Sequence, residues 1–341
     1  MVEFSILDYA PIDASATAHT AIQQTVQLAQ HAEKLGFKRF WVAEHHDVLA
    51  FASSTPELLM MHIADYTNHI RVGSGGVMLP HYSPYKVAEN FRMLQAIHPH
   101  RVDLGVGNSV GTPQVNAALN EGRKKTGYPS GIHDLIHYLS PQASTQPFRY
   151  DDLTARPVVQ SMPDIWMLSG SIQNALRAAE LGVGYCYGLF PNIPGNRYRV
   201  GREALQVYHQ AFQSNVSNAP ARTMIALFAA IAESEEEAED LGKALHLWLL
   251  GEENYAQFEA LPTIEEARHY NLTLAQQTQI EKNRHRVIIA SEATLRNQMD
   301  AIIHRFNPDE ILLCLLVPTI EARLQSLEIL SNVYQLIDQT K

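Results

Sequence analysis

Basic residues, cysteines and long apolar runs are all scarce in this chain. Lysine and arginine number 26 against 36 aspartates and glutamates, a formal net charge of -10, so the cationic face that non-specific nucleic-acid binding needs is missing. The two cysteines, Cys186 and Cys314, sit inside apolar runs. They are too few for a disulfide framework and read as buried free thiols in a reducing compartment. The longest apolar stretches, such as Met224–Ala232, fall short of the ~18 residues of a membrane-spanning helix, and Met1–Asp8 has no basic leader region. A cytoplasmic protein with no membrane contact is expected. With 18 glycines and 17 prolines, collagen-like and low-complexity classes are excluded. What is present is 46% hydrophobic and 18% charged residues, enough for a large core and a small-molecule partner.

A length of 341 residues would divide into two domains of ~150 residues, yet α/β barrels exceed ~250 residues as one. The pattern along the chain favours the second. Strand-like runs at Glu3–Leu7, Arg39–Ala43, Ile70–Met78, Arg101–Val106, Asp164–Leu168, Val183–Gly188, Thr223–Ala232 and Glu310–Val317 alternate with helical periods. Thr55–Pro56 and Ser83–Pro84 read as helix starts, and Ser234 with Glu237 as a capping box. Two segments, about 111–162 and 251–283, show no clean period and read as irregular insertions. Eight strand–helix alternations predict an α/β fold, a single (β/α)8 TIM barrel over residues 1–341, with chemistry in the loops after the strands.

Four of those loops carry candidate chemistry. AEHH at Ala43–His46 places a carboxylate and two imidazoles at the barrel mouth; a metal centre would need further His, Asp or Cys at other strand ends, which end in SGS, YG and PT. No metal is expected. Ser74, Gly75 and Gly76 interrupt a strand, which marks a tight corner or a close approach of backbone to a flat ligand. Gly105, Gly107 and Gly111 miss the dinucleotide fingerprint by one residue. Ser169, Gly170 and Ser171 end a strand just where a helix begins, so backbone N–H groups and hydroxyls converge as in an anion site. A phosphate there and a planar ring on the glycines suggest a flavin nucleotide.

Together, AEHH, GSGGVMLPHYSPYKVAE (Gly73–Glu89), HPHRVDLGVG (His98–Gly107) and SGSIQNALRAAELG (Ser169–Gly182) resemble, in order and over nearly the whole chain, the bacterial luciferase-like flavin monooxygenases. The resemblance implies a luciferase-like (β/α)8 barrel that binds FMN at the C-terminal mouth and uses its reduced form with O2 as cosubstrate. It places His45 at the catalytic histidine, with Glu44 beside it to orient the ring. Gly75 and Gly76 match a bulge, often a non-proline cis peptide, against the flavin ring. Ser169, Gly170, Ser171 and Asn174 match the phosphate turn, and Met78 and His81 would lie near the ring or the substrate. Asn108 stands where relatives carry a phosphate-pairing arginine, a change worth ~1–2 kcal/mol, about tenfold in affinity. The loop Tyr187–Gly195 lacks a histidine that close relatives place there. The implied enzyme is a two-component monooxygenase of a small organic substrate, supplied with FMNH2 by a separate flavin reductase. It is expected to be a homodimer packed through the early helices. A deazaflavin-dependent hydride-transfer enzyme and a non-catalytic flavin-binding protein are the alternatives.

Overall fold

The computed structural model describes residues 2–121, 127–140, 150, 153–190, 195–214, 220–251, 255 and 257–339. Nine strands form one parallel sheet: β1 (Glu3–Asp8), β2 (Arg39–Val42), β3 (Arg71–Met78), β4 (Val102–Gly107), β5 (Asp164–Ser169), β6 (Gly184–Gly188), β7 (Thr223–Ala232), β8 (Val287–Ser291) and β9 (Glu310–Cys314). The order β6-β5-β4-β3-β2-β1-β9-β7 closes because β7 also pairs with β6. The eight closed strands and their flanking helices make a (β/α)8 barrel. The ninth, β8, pairs only with the distal half of β7, from Phe228 to Ala232.

Strand periodicity sorts the core into two layers. Leu7, Trp41, Trp166, Cys186, Met224, Leu312 and Cys314 pack together inside the barrel. Their sequence neighbours Ile6, Phe40, Val42, Ile165, Met167, Ile225 and Leu313 meet the surrounding helices. All ten residues of β7 are buried, which is why its sequence, TMIALFAAIA, is continuously apolar rather than alternating. Each such side chain removed from water contributes ~1.5–3 kcal/mol.

The N-terminal end of the barrel is plugged by charge. Arg39 reaches Asp103 at 2.8 Å and Glu310 at 3.0 Å, and Asp103 also accepts from Trp41 Nε1 at 2.9 Å. The burial of Asp103 favours its neutral form, but Arg39 and Arg71 outweigh that and hold its carboxyl below the usual range. The opposite mouth is left for the loops after the strands.

The helices are α1 (Ala18–Lys34), α2 (Pro56–Asp65), α3 (Pro84–Ile97), α4 (Pro113–Asn120), α5 (Tyr128–Leu139), α6 (Ile172–Leu181), α7 (Arg197–Ala211), α8 (Glu235–Trp248), α9 (Ile264–His269), α10 (Leu274–Asn283), α11 (Glu292–Phe306) and α12 (Ile320–Tyr334). The Ser234–Glu237 capping box forms as expected. Thr55 and Ser83 precede their helices without a side-chain capping bond, leaving proline as the start signal there. The segments predicted as irregular contain α4, α5, α9 and α10; residues 122–126, 141–149, 151–152, 252–254 and 256 lie outside the described residues. Helix α5 buries Ile132, Leu135, Ile136 and Leu139, an i, i+3, i+4, i+7 set masked by the polar composition around it.

Candidate active site

At the C-terminal mouth the loops enclose a cavity of about 570 Å³. One wall comes from the residues after β2. Glu44 is buried, and its carboxylate accepts from the Met78 N–H at 2.8 Å and the Tyr82 hydroxyl at 2.6 Å. His46 Nε2 lies 2.7 Å from the same group. Glu44 thus ties the end of β2 to the end of β3 and engages His46 rather than the His45 ring that it was expected to orient. His45 lines the cavity and packs on Tyr9 and Phe51, with ring centroids 4.6 and 5.2 Å away. Burial against these rings, with a smaller contribution from His46, pushes its pKa down to about 4. The imidazole is therefore uncharged at neutral pH, not poised at its ordinary 6.5.

Glycines form the second wall. The Gly75–Gly76 peptide is cis, and the register of β3 on β4 shifts between Ser74 and Val77. A Cβ on Gly76 would stand 2.8 Å from the Gly105 carbonyl oxygen, and one on Gly75 would stand 2.5 Å from Leu7 Cδ1. At Gly107 a Cβ would meet nothing within 4 Å. Gly76 is required by the barrel itself, since its neighbour is backbone; at Gly75 the Leu7 side chain could shift, and Gly107 faces open cavity.

The third wall is the turn from β5 into α6. Ser171 caps α6 by accepting from the Asn174 N–H at 3.2 Å, and Ser169 Oγ accepts from the Ser171 N–H at 3.2 Å and from Asn174 Nδ2 at 3.1 Å. These donors share one small volume at a helix N-terminus, where an anion could replace the hydroxyl oxygens as acceptor. Gly170 lacks a side chain because the Arg197 guanidinium occupies that space, donating to the carbonyls of Gly170 at 3.3 Å and Gly188 at 2.6 Å. Asn108 is exposed at the cavity rim. A second cation beside the turn is Arg177, whose Nη1 donates to Asn174 Oδ1 at 2.5 Å.

Met78 lines the cavity; His81 does not. Its side chain is buried beyond β3, beside a second cavity between α2 and α3, with Nδ1 3.3 Å from Asn120 Nδ2. The 3-10 turn Leu79–His81 rotates it away from the mouth. Sequence reasoning missed the aromatic wall of Tyr9, Phe190 and Tyr255. Tyr9 directly follows β1 and Phe190 lies two residues past β6, the right places on a barrel, but an aromatic residue carries no chemical signature that separates lining from core. Residues 191–194 of the β6 loop lie outside the described residues.

This geometry has counterparts among known proteins. The model of the luciferase-like monooxygenase family matches residues 2–305. The chain belongs to the luciferase-like monooxygenases. It is 41% identical over 337 residues, 98% of this chain and 99% of the relative, to the uncharacterized protein YwcH of Bacillus subtilis (strain 168). An N-acetyl-S-alkylcysteine monooxygenase of the same organism is 40% identical over 245 residues, 70% of each chain. The crystal structure of apo-MsnO8 superposes with a TM-score of 0.84 at 30% identity, covering 98% of this chain and 99% of the other. This luciferase-like protein is accordingly an oxidoreductase, a flavin-dependent monooxygenase, and among its described residues no helix is long and apolar enough to cross a membrane.

Proposed function

We propose that the protein is an FMN-dependent monooxygenase that takes reduced flavin from a separate reductase and oxygenates a small organic substrate. The observation that carries this reading is the single cavity wall-to-wall: open space at Gly107, the anion-binding turn Ser169–Asn174 and the uncharged His45 border the same 570 Å³. The residues fit the group. Ser169, Gly170, Ser171 and Asn174 would hold the phosphate, and Gly75, Gly76 and Gly107 leave backbone for a planar ring to lie against. Reduced FMN, when bound, supplies the electrons for O2 activation. His45, uncharged above about pH 4, accepts or shares a proton at one ring nitrogen without bringing a cation into the site. Tyr9 and Phe51, packed on the imidazole, shield that ring from water. The thioether substrate named for the 40% identical relative makes N-acetylated S-alkylcysteines the first substrates to screen. A homodimer through α2 and α3 is supported by the exposed Leu58, Tyr66, Met93 and Ile97; Leu58→Asp with Met93→Asp should then give monomer by light scattering.

The test is titration with FMN, reduced FMN and deazaflavin, then O2 uptake with a generic flavin reductase and candidate thioethers. Tight binding of reduced FMN and product formation that disappears in His45→Ala are expected. Because His45 stays uncharged, the product-forming rate should be flat from about pH 8 to pH 5.5. Binding of deazaflavin alone would replace this reading with hydride transfer.

A further inference from the structure

Five arginines are buried: Arg39, Arg92, Arg197, Arg286 and Arg323. Four have evident partners. Arg39 faces Asp103 and Glu310, and Arg323 reaches Asp13 at 2.7 Å. Arg92 donates to the carbonyls of Leu139 at 2.6 Å and Val159 at 3.1 Å, as Arg197 does to those of Gly170 and Gly188. Arg286, just before β8, is different. It is 6% exposed, and among the described residues its one hydrogen bond runs from Nη1 to Asn283 Oδ1 at 3.1 Å, while Nε has no acceptor. No described carboxylate pairs with it. An arginine cannot shed its proton, and a buried charge without a counter-charge is strongly unfavourable.

The surroundings of Arg286 indicate what the charge is for. Its guanidinium lies over the Phe228 ring, 5.7 Å from the centroid, and Phe228 packs on Phe190 and Tyr9 of the cavity wall. Asn283, fully buried and anchored to the Leu249 carbonyl, fixes the head. The charge acts on the phenols of Tyr9 and Tyr255, both cavity-lining. Among the described residues neither hydroxyl has a hydrogen-bond partner, and burial raises both phenols, so each stays a donor. Two O–H donors of the cavity lining thus stand in the field of one buried cation, and among the described residues none of the three is paired with a carboxylate.

We infer that Tyr9, Tyr255 and Arg286 form a carboxylate-binding pole of the cavity, so that the substrate is a small organic acid whose apolar part lies against Phe190. The inference deepens the monooxygenase reading and rests on it. Tyr9 and Tyr255 donate to the carboxylate oxygens, and Arg286 is a positioning residue whose field makes the pole cationic. One cation with two neutral donors matches a monoanion better than a phosphate dianion.

The pole is tested by binding rather than turnover. Trp248 stacks on Tyr255 with centroids 4.6 Å apart and reports occupancy by fluorescence. Hexanoate is compared with hexanamide, and N-acetylmethionine with its amide, on the full-length protein with and without FMN. The wild type should bind each acid about tenfold tighter than its amide. Arg286→Met should bring that ratio close to one while leaving FMN affinity unchanged, Arg286→Lys should restore part of it, and Tyr255→Phe should weaken the acids more than the amides. Since Arg286→Met removes an unpaired buried charge, its melting temperature should be equal to or above that of the wild type. Equal binding of acids and amides by the wild type, or an unchanged ratio in Arg286→Met, would overturn the inference. Selection of acids by a protein that binds no FMN would instead sink the monooxygenase reading and leave the carboxylate pole standing.

Discussion

At the residue scale, the question raised by Asn108 is where a flavin phosphate would find its positive charge. Asn108 sits neutral at the cavity rim, but a turn further along α6 Arg177 donates to Asn174 Oδ1 at 2.5 Å while Asn174 Nδ2 donates to Ser169 Oγ at 3.1 Å. Cation, amide and hydroxyl form one chain, so under the proposed FMN reading Arg177 is the positive charge behind the phosphate turn that Asn108 does not provide. We expect Arg177→Met to weaken FMN by about tenfold and to leave riboflavin, which has no phosphate, unaffected. Asn108→Arg should strengthen FMN by a similar factor. Calorimetric titration with the two flavins checks both; a loss of riboflavin affinity in Arg177→Met would mean that the substitution damaged the fold. The sequence displayed the Ser-Gly-Ser turn and Asn174 because capping chemistry has a local signature. It hid the role of Arg177, since an arginine in mid-helix looks like any solvated charge until its partner is known.

At the scale of elements, β3 and β4 show which glycines serve the barrel and which serve the cavity. Gly76 faces the Gly105 carbonyl, with a hypothetical Cβ only 2.8 Å away, whereas Gly107 has 4 Å of open space on the cavity side. Gly76→Ala forces backbone apart between two hydrogen-bonded strands and should lower stability by roughly 1–3 kcal/mol. Gly107→Ala should fold with wild-type stability but bind FMN more weakly, because its methyl projects into the flavin wall. Chemical denaturation and flavin titration on the two variants separate the effects; equal stabilities would contradict this division. Elements were legible where a period or a cap repeats locally, as in α1, β7 and the Ser234–Glu237 box. Two failures have physical causes. The five residues of β8 run directly into α11 through Ser291, so no turn residue separates strand from helix. His81 follows β3 closely in sequence, yet a single 3-10 turn sends it to the outer cavity, and one turn is below the resolution of any periodicity.

At the scale of the whole molecule, the buried histidines couple the fold to pH. His45 and His246 are both held near pKa 4 by burial, His246 with Arg284 and Arg286 contributing next. In the unfolded chain both return to ~6.5. Between these values the unfolded state binds the extra protons, so stability falls as pH drops from about 6.5 towards 4 and is fully recovered above 6.5. This limb begins well above the range where ordinary carboxylates titrate. Melting temperatures measured from pH 7.5 to 4.5 should therefore decline early in the wild type, and His246→Asn should flatten part of the decline without touching the cavity. An identical slope in His246→Asn would show that other groups cause it. The coupling also reaches the unpaired guanidinium: Arg286→Met removes one of the cations that disfavour protonated His246, so that variant's acid decline should start at the same pH as the wild type's but be smaller. The buried charge inferred to select a carboxylate thus leaves a mark on global stability, which a melting curve reads without any substrate.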